Sequence, residues 1–312
     1  MKNKKLFKAK QDKSSEKLTG TERIGTIIAH YGAVVDVESD SGEIYHANLK
    51  RNFDPCITGD KVLFRSEQND TNIIVKILPR KSLLKKTENK YKIKLIAANI
   101  DKMIVVSAPQ PLFSTILIDR YIVCAELLDI KPVLVFNKTD LLDIVELNKI
   151  KNQLSIYQQI GYSIIFSNIT STDGLINFKS ELTDNASILV GMSGVGKSSL
   201  VSALVGDESI KTGSVGAFGR HTTTSTRLYH LPSGGDLIDS PGVREFVISN
   251  LQSKDVIFGF LDFKSYIGNC KFRNCQHNNE SNCALLQAVS KGEISPARWN
   301  SYLNILAEIA EK

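Results

Sequence analysis

Nine consecutive residues, Gly191-Met192-Ser193-Gly194-Val195-Gly196-Lys197-Ser198-Ser199, carry the side chains and the backbone freedom that hold a polyphosphate. They fit the pattern GxxxxGK[ST], preceded by an apolar run, Ser187 to Val190, that reads as a strand, and followed by Leu200 to Leu204, which reads as a helix. Glycines let successive N–H groups curl towards phosphate oxygens, and the helix N-terminus adds partial positive charge. Lys197 is placed to reach the β- and γ-phosphates, and Ser198 to offer its hydroxyl to Mg²⁺. The stretch predicts binding of a nucleoside triphosphate.

A second group selects the base. Asn137-Lys138-Thr139-Asp140 follows the buried-strand run Pro132 to Phe136 and matches the guanine-reading NKxD element. The Asp140 carboxylate accepts from guanine N1–H and the 2-amino group; adenine has no donor there and would strand the carboxylate. Asn137 supports the other edge of the base, and the Lys138 stem lies along the ring. Ser167-Asn168, at the end of the next strand, is a weaker candidate for a backbone contact to the guanine oxygen. Between the P-loop and Asp239-Ser240-Pro241-Gly242 lies Gly219-Arg220-His221-Thr222-Thr223-Thr224. Asp239 is expected to hold Mg²⁺ through water, Gly242 N–H to meet the γ-phosphate, and one of Thr222, Thr223 or Thr224 to close over the metal as a first switch.

A third group binds metal. Cys270-x4-Cys275-x-His277-x5-Cys283 supplies three thiolates and an imidazole, the donor set of a closed, structural tetrahedral zinc site.

The elements that must position these groups alternate. Short β-branched runs from Arg23 to Ile77, separated by turn residues, read as a five-stranded barrel of OB type. Beyond it, buried strands at 102–106, 132–136 and 163–166 alternate with helices near 116–128, 143–161 and 175–182, the pattern of a parallel sheet covered on both faces. Residues 297–311 read as an amphipathic helix. The expected organisation is a multidomain α/β chain: a basic tail at 1–18, an OB-type domain at 19–79, a basic linker at 80–94, a nucleotide domain at 95–249 and a zinc-binding domain at 250–312.

Charge is unevenly spread. The formal net charge is +6, but residues 1–18, 80–94 and 264–300 carry +5, +6 and +3, leaving about −8 elsewhere. Basic segments set against an acidic body suit a polyanion such as RNA. No apolar run reaches the roughly 18 residues that span a bilayer. Five cysteines, three of them close together, argue against a disulfide framework and for the cytoplasm. A monomer is expected.

The order of the nucleotide elements is unusual: guanine specificity comes first, then the P-loop and the two switches. Here the chain resembles the circularly permuted, ribosome-associated GTPases of the RsgA or YjeQ family. The resemblance is carried by Gly219–Thr224, Leu228-Tyr229-His230 and Asp236–Phe246, and extends over nearly the whole chain from about residue 20. It implies an N-terminal OB domain, a permuted GTPase core and a C-terminal zinc domain with the same ligand pattern. It further implies GTP and GDP as ligands, contact with the small (30S) ribosomal subunit and its 16S rRNA, a role in late maturation of that subunit, and hydrolysis stimulated by it.

In-line attack of water on the γ-phosphate is the expected chemistry, with Lys197 and Thr223 in the catalytic set. The residue after Gly242 is Val243, which neither donates nor accepts, so intrinsic turnover on the order of 10⁻⁴–10⁻² s⁻¹ is expected. His221 is the candidate to position the water. Two alternatives are a GTP-dependent RNA-binding switch with incidental hydrolysis and a P-loop kinase. The kinase needs an arginine-rich lid, and only Arg220 and Arg227 lie between Ser199 and Asp239.

Overall fold

The computed structural model describes residues 22–49, 53–67, 71–89, 92–168, 172–211, 226–240, 252–277 and 280–310. The expected N-terminal tail, His221, Thr222, Thr223, Gly242 and Val243 lie outside them.

Alternation of apolar and polar residues builds the first five strands, as in β4 (Lys61–Ser66), whose Val62 and Phe64 point inward. β1 (Arg23–Tyr31) pairs antiparallel with both β2 (Val34–Ser39) and β4. β2 pairs with β3 (Ile44–Asn48), and β4 with β5 (Asn72–Ile77); β3 and β5 run parallel and close the ring. This is an OB-type barrel, filled by Ile27, Val37, Val62, Phe64 and Ile74.

The segment 80–94 is not a plain linker. β6 (Leu83–Asn89) and β7 (Lys92–Ala98) form an antiparallel hairpin. Its root is fixed by Leu84, Ile96 and Ala97, which join the core of the next domain, while Ile93 and Lys94 are exposed. Arg80 leaves the basic surface altogether: its guanidinium forks onto the fully buried Asp60 at 2.6 and 2.7 Å.

Near-continuous Val/Ile/Leu runs then give strands buried on both faces. β8 (Lys102–Ser107), β9 (Lys131–Phe136), β10 (Ser163–Phe166), β11 (Ala186–Val190) and β13 (Asp236–Asp239) are parallel in the order β10-β9-β8-β11-β13, and β12 (Arg227–His230) closes the edge antiparallel. α1 (Thr115–Leu127) and α2 (Ile144–Ile160) cover one face; α3 (Thr172–Leu182) and α4 (Lys197–Lys211) cover the other. α2 starts at a reciprocal Asp143–Glu146 capping box and ends at Gly161 with φ 110°.

β12 also pairs with β1, so barrel and parallel sheet form one continuous eleven-stranded sheet. His230 clasps the seam, hydrogen-bonded to Asp236 of β13 at 2.6 Å and to Glu38 of β2 at 2.5 Å.

The apolar stretch 256–266 begins at the end of α5 (Ser253–Val256) and forms two 3₁₀ turns, 257–259 and 261–263. With α6 (Ala284–Ser290) and α7 (Pro296–Ala310) it makes a C-terminal domain around stacked Phe260 and Phe263, Trp299 and Tyr302. This domain docks on α1. Gly259 permits the approach, since a Cβ there would sit 2.6 Å from a Val123 methyl. Arg298, 1% exposed, pairs with the equally buried Asp119 of α1 and with Asp262 at 2.8 Å, while its guanidinium lies 4.5 Å from the Phe260 ring centre.

Two outcomes follow from these joints. Arg298→Met leaves the Asp119 carboxylate buried without its cation and should cost roughly 3–5 kcal/mol, read by calorimetry; Asp119→Asn added to it should recover part of the loss. The hydrogen bond to Asp236, with that to Glu38, raises the His230 pKa to about 9. Its contribution is therefore complete below pH about 6.5, the unfolded value, and lost as pH rises through about 9. The melting-temperature gap between wild type and His230→Gln should shrink across that window.

Candidate functional site

The carboxyl ends of the parallel strands lie at one edge, where open α/β sheets bind ligands. Ser107, Asn137, Ser167, Gly191 and Asp239–Ser240 all end strands or follow them directly there. Guanine-type and phosphate-type motifs therefore converge although the chain visits them in rearranged order.

The P-loop runs from Gly191 into α4. Gly191 has φ 139°, and a Cβ on it would lie 2.2 Å from Val106 O of the neighbouring strand end. Gly196, at φ 95°, would drive a Cβ to 2.4 Å from Asn137 Nδ2. Lys197 Nζ donates to Gly191 O and Met192 O at 2.8 and 2.6 Å, lying across the loop it follows. Ser193, Gly194, Ser198 and Ser199 are exposed, whereas Val195 is buried under the loop.

The NKTD loop is fixed to this structure. Asn137 is fully buried; its N–H donates to Ser107 O at 2.8 Å, and its Nδ2 donates to Val195 O at 2.9 Å. Lys138, in the left-handed region at φ 60°, sends Nζ to Gly194 O at 2.6 Å. Thr139 N and Oγ1 both donate to Ser167 O at 3.3 Å, and Ser167 N donates to Phe136 O at 2.8 Å, which ties in Ser167-Asn168. Asp140 is exposed. Asn137 Oδ1 and Ser167 Oγ are buried without a hydrogen-bond partner in the protein, so the site retains polar capacity that the chain does not use.

Asp239 ends β13, half-buried; Ile188 and Ile238 are in register, so it stands at the P-loop edge. The candidate groups His221, Thr222, Thr223 and Gly242 lie outside the described residues. One contributor escaped the sequence reading. The turn after β8 brings Pro111 and Leu112 against Met192 and Val195, enclosing a small cavity. Pro109-Gln110-Pro111 was the available signal.

The metal candidates also converge. Ligand atoms of Cys270, Cys275, His277 and Cys283 all lie within 4.8 Å of one another. A tetrahedron with bonds of 2.0–2.3 Å sets sulfurs roughly 3.8 Å apart and sulfur to nitrogen roughly 3.5 Å. Cys270 Sγ and Cys283 Sγ are 3.9 Å apart, and His277 Nδ1 stands 3.5 and 3.3 Å from them. The donor set fits zinc. Ala284 N at the start of α6 donates to Cys270 Sγ at 3.4 Å, the kind of outer contact that orients a thiolate.

Comparison with known proteins agrees with this geometry. A family model described as RsgA GTPase matches residues 77–249. A small ribosomal subunit biogenesis GTPase RsgA 1 of Vibrio parahaemolyticus is 40% identical over 97% of this chain and 89% of its own length. The RsgA protein of that description from Pseudomonas aeruginosa is 42% identical over 94% and 87%. Among solved structures, YjeQ from Thermotoga maritima superposes with a TM-score of 0.78 at 29% identity, covering 93% of this chain and 99% of that one. YloQ, described as a circularly permuted GTPase, gives 0.75 at 25%, covering 96% and 98%. Sequence likeness over nearly the full length, an OB-type barrel leading a permuted nucleotide edge and a trailing Cys₃His cluster place this chain in the RsgA GTPase family, as a GTP hydrolase.

Proposed function

We propose that the chain binds GTP at the P-loop edge and hydrolyses it during late maturation of the small ribosomal subunit, slowly alone and faster on that subunit. The observation that carries this reading is the direct contact of Asn137 and Lys138 with Val195 O and Gly194 O, because it makes the base-reading and phosphate-reading loops one pocket. The names of the relatives supply the small subunit as the site of action.

In this reading Asp140 accepts from the guanine N1–H and 2-amino group, Asn137 braces the loop, and the Lys138 stem lies along the base. Gly191, Met192, Ser193, Gly194, Val195 and Gly196 wrap the phosphates with backbone N–H groups, and Lys197 leaves its carbonyls to meet the β- and γ-oxygens. Ser198 and Asp239 would hold Mg²⁺, which when bound neutralises charge between those phosphates. Thr223 and Gly242 N–H act on the γ-phosphate, and His221 orients the attacking water. Val243 in the position after Gly242 offers no hydrogen bond to that water, so the subunit must complete or order the site. Cys270, Cys275, His277 and Cys283 would hold one structural zinc ion. The work is done in the cytoplasm, with 16S rRNA as the polyanion that the basic segments meet.

Two measurements test this. Single-turnover GTP hydrolysis, titrated with purified small subunits, should start on the order of 10⁻⁴–10⁻² s⁻¹ and rise at least tenfold at saturation; an unchanged rate would reduce the chain to a nucleotide-dependent RNA binder. Asp140→Asn should lose GTP by about 10²-fold or more and prefer xanthosine triphosphate, whose 2-oxo group the new amide can address. A variant that still favours GTP would remove Asp140 from base recognition.

A further inference from the structure

Four consecutive exposed residues, Lys271-Phe272-Arg273-Asn274, run between the first two cysteines of the metal cluster. Phe272 is 46% exposed and takes no part in the C-terminal core, where Phe260, Phe263, Trp299 and Tyr302 pack together. The loop is pinned at both ends: Lys271 N donates to Asn282 O at 3.3 Å and Cys275 N to Phe272 O at 3.2 Å. Its first and last residues, Cys270 and Cys275, are themselves members of the cluster. The ring is held in solvent by its backbone.

The surroundings of the ring are cationic. Lys271 Nζ lies 5.6 Å from its centre, and Arg273 is the next residue. Lys291 is exposed in the same domain, whereas Lys264 and Arg298 are spent on Glu126, Asp119 and Asp262. The nearby Glu280 is turned onto Gln276 N, 2.8 Å away. An exposed apolar ring with one cation over it and a second exposed cation next in the chain suits a ligand that is itself flat and apolar on its face and anionic along its chain. An unpaired nucleotide base between phosphates has that form; duplex RNA hides its base faces, and an acidic peptide lacks the ring-sized surface.

We propose that Phe272 is a stacking platform for an unpaired RNA base, with Lys271 and Arg273 on the adjoining phosphates. This rests on the small-subunit function proposed above and names one of its contacts.

The test uses the full chain with a non-hydrolysable GTP analogue and two probes, purified small subunits and an unstructured oligouridine. Phe272→Ala should weaken binding of both by roughly ten- to a hundredfold, and Phe272→Trp should restore it. The salt dependence should stay unchanged in Phe272→Ala, while Lys271→Ala lowers its slope by about 0.7–1. Zinc content, measured on each variant, reports whether the loop is intact. Wild-type affinity in a zinc-replete Phe272→Ala would overturn the proposal. So would full restoration by Phe272→Leu, which would indicate an apolar contact with a ribosomal protein. Should Phe272→Ala lose zinc, the comparison of Trp with Leu, both large and apolar, decides alone. The two readings fail separately. Subunit binding that ignores Phe272 sinks only the platform, whereas oligouridine binding through Phe272 with no affinity for subunits sinks only the small-subunit function.

Discussion

The nucleotide edge depends on two side chains from one loop holding two backbone carbonyls of another. A loop that aims its N–H groups at phosphate must turn carbonyls the other way, and those carbonyls need donors. At Val195 O water is poorly placed to supply one, since Val195 and Asn137 are both buried, whereas Gly194 lies at the exposed rim. Asn137 Nδ2 and Lys138 Nζ do it instead, on Val195 O and Gly194 O. The approach is possible only because Gly196 lacks a Cβ. Two segments nearly sixty residues apart thus behave as one rigid frame. Their order along the chain does not matter to this contact, which is why a rearranged connectivity preserves the pocket.

Connectivity matters elsewhere. Because the P-loop strand β11 and the following β12–β13 pair come last in the sheet, the chain leaves the nucleotide domain just past Asp239 and enters the C-terminal domain. That domain is also bolted to α1 by Arg298 on Asp119 and by the close fit of Gly259 on Val123. α1 joins β8 to β9, and β9 carries the NKTD loop. The C-terminal domain is therefore linked to the nucleotide edge twice, through the chain beyond β13 and through packing on α1. The ion pair is buried, so slipping the C-terminal domain on α1 is expensive.

Motifs with fixed spacing and elements with a clean period were legible from residues alone. The P-loop, NKTD and the Cys₃His spacing each named their own atoms, and α2 announced itself by Asp143 at one end and Gly161 at the other. The β6–β7 hairpin was not legible because its lysines mask the alternation; what makes it a hairpin is the burial of Leu84 and Ile96 at its root, a tertiary fact. The run 256–266 offered aromatic residues without a period, and its 3₁₀ turns are set by packing against α1 and α7. The contact by which Asn137 braces the P-loop has no sequence signature at all. Thr222, Thr223, His221 and Gly242 rest on pattern alone, being outside the described residues.

Formal charge was the least transferable signal, and the reason is physical. A count treats every lysine and arginine as available to a partner, but a cation that neutralises a buried carboxylate is part of the fold. Arg80 belongs to Asp60, Lys81 pairs with Asp101 at 2.5 Å, and Arg298 to Asp119 and Asp262. Lys264 reaches Glu126 at 3.2 Å. Two of the three basic windows thus lose their most ordered cations to internal pairs. Among the described residues what remains outward is narrower: Lys85 on the two-stranded arm, Lys271 and Arg273 between two cysteines of the metal cluster, and Lys291 in the same domain. The barrel shows the converse. Its β2–β3 strands, the face that OB folds use for oligonucleotides, carry Asp36, paired with His46 at 2.6 Å, and Glu38, paired with His230 at 2.5 Å, and the turn between them adds the exposed Asp40 and Glu43. The exposed carboxylates of Asp40 and Glu43 repel phosphate at that turn, so in this chain the fold-level analogy is a weak guide to where RNA lies, and the surviving surface cations are the better one.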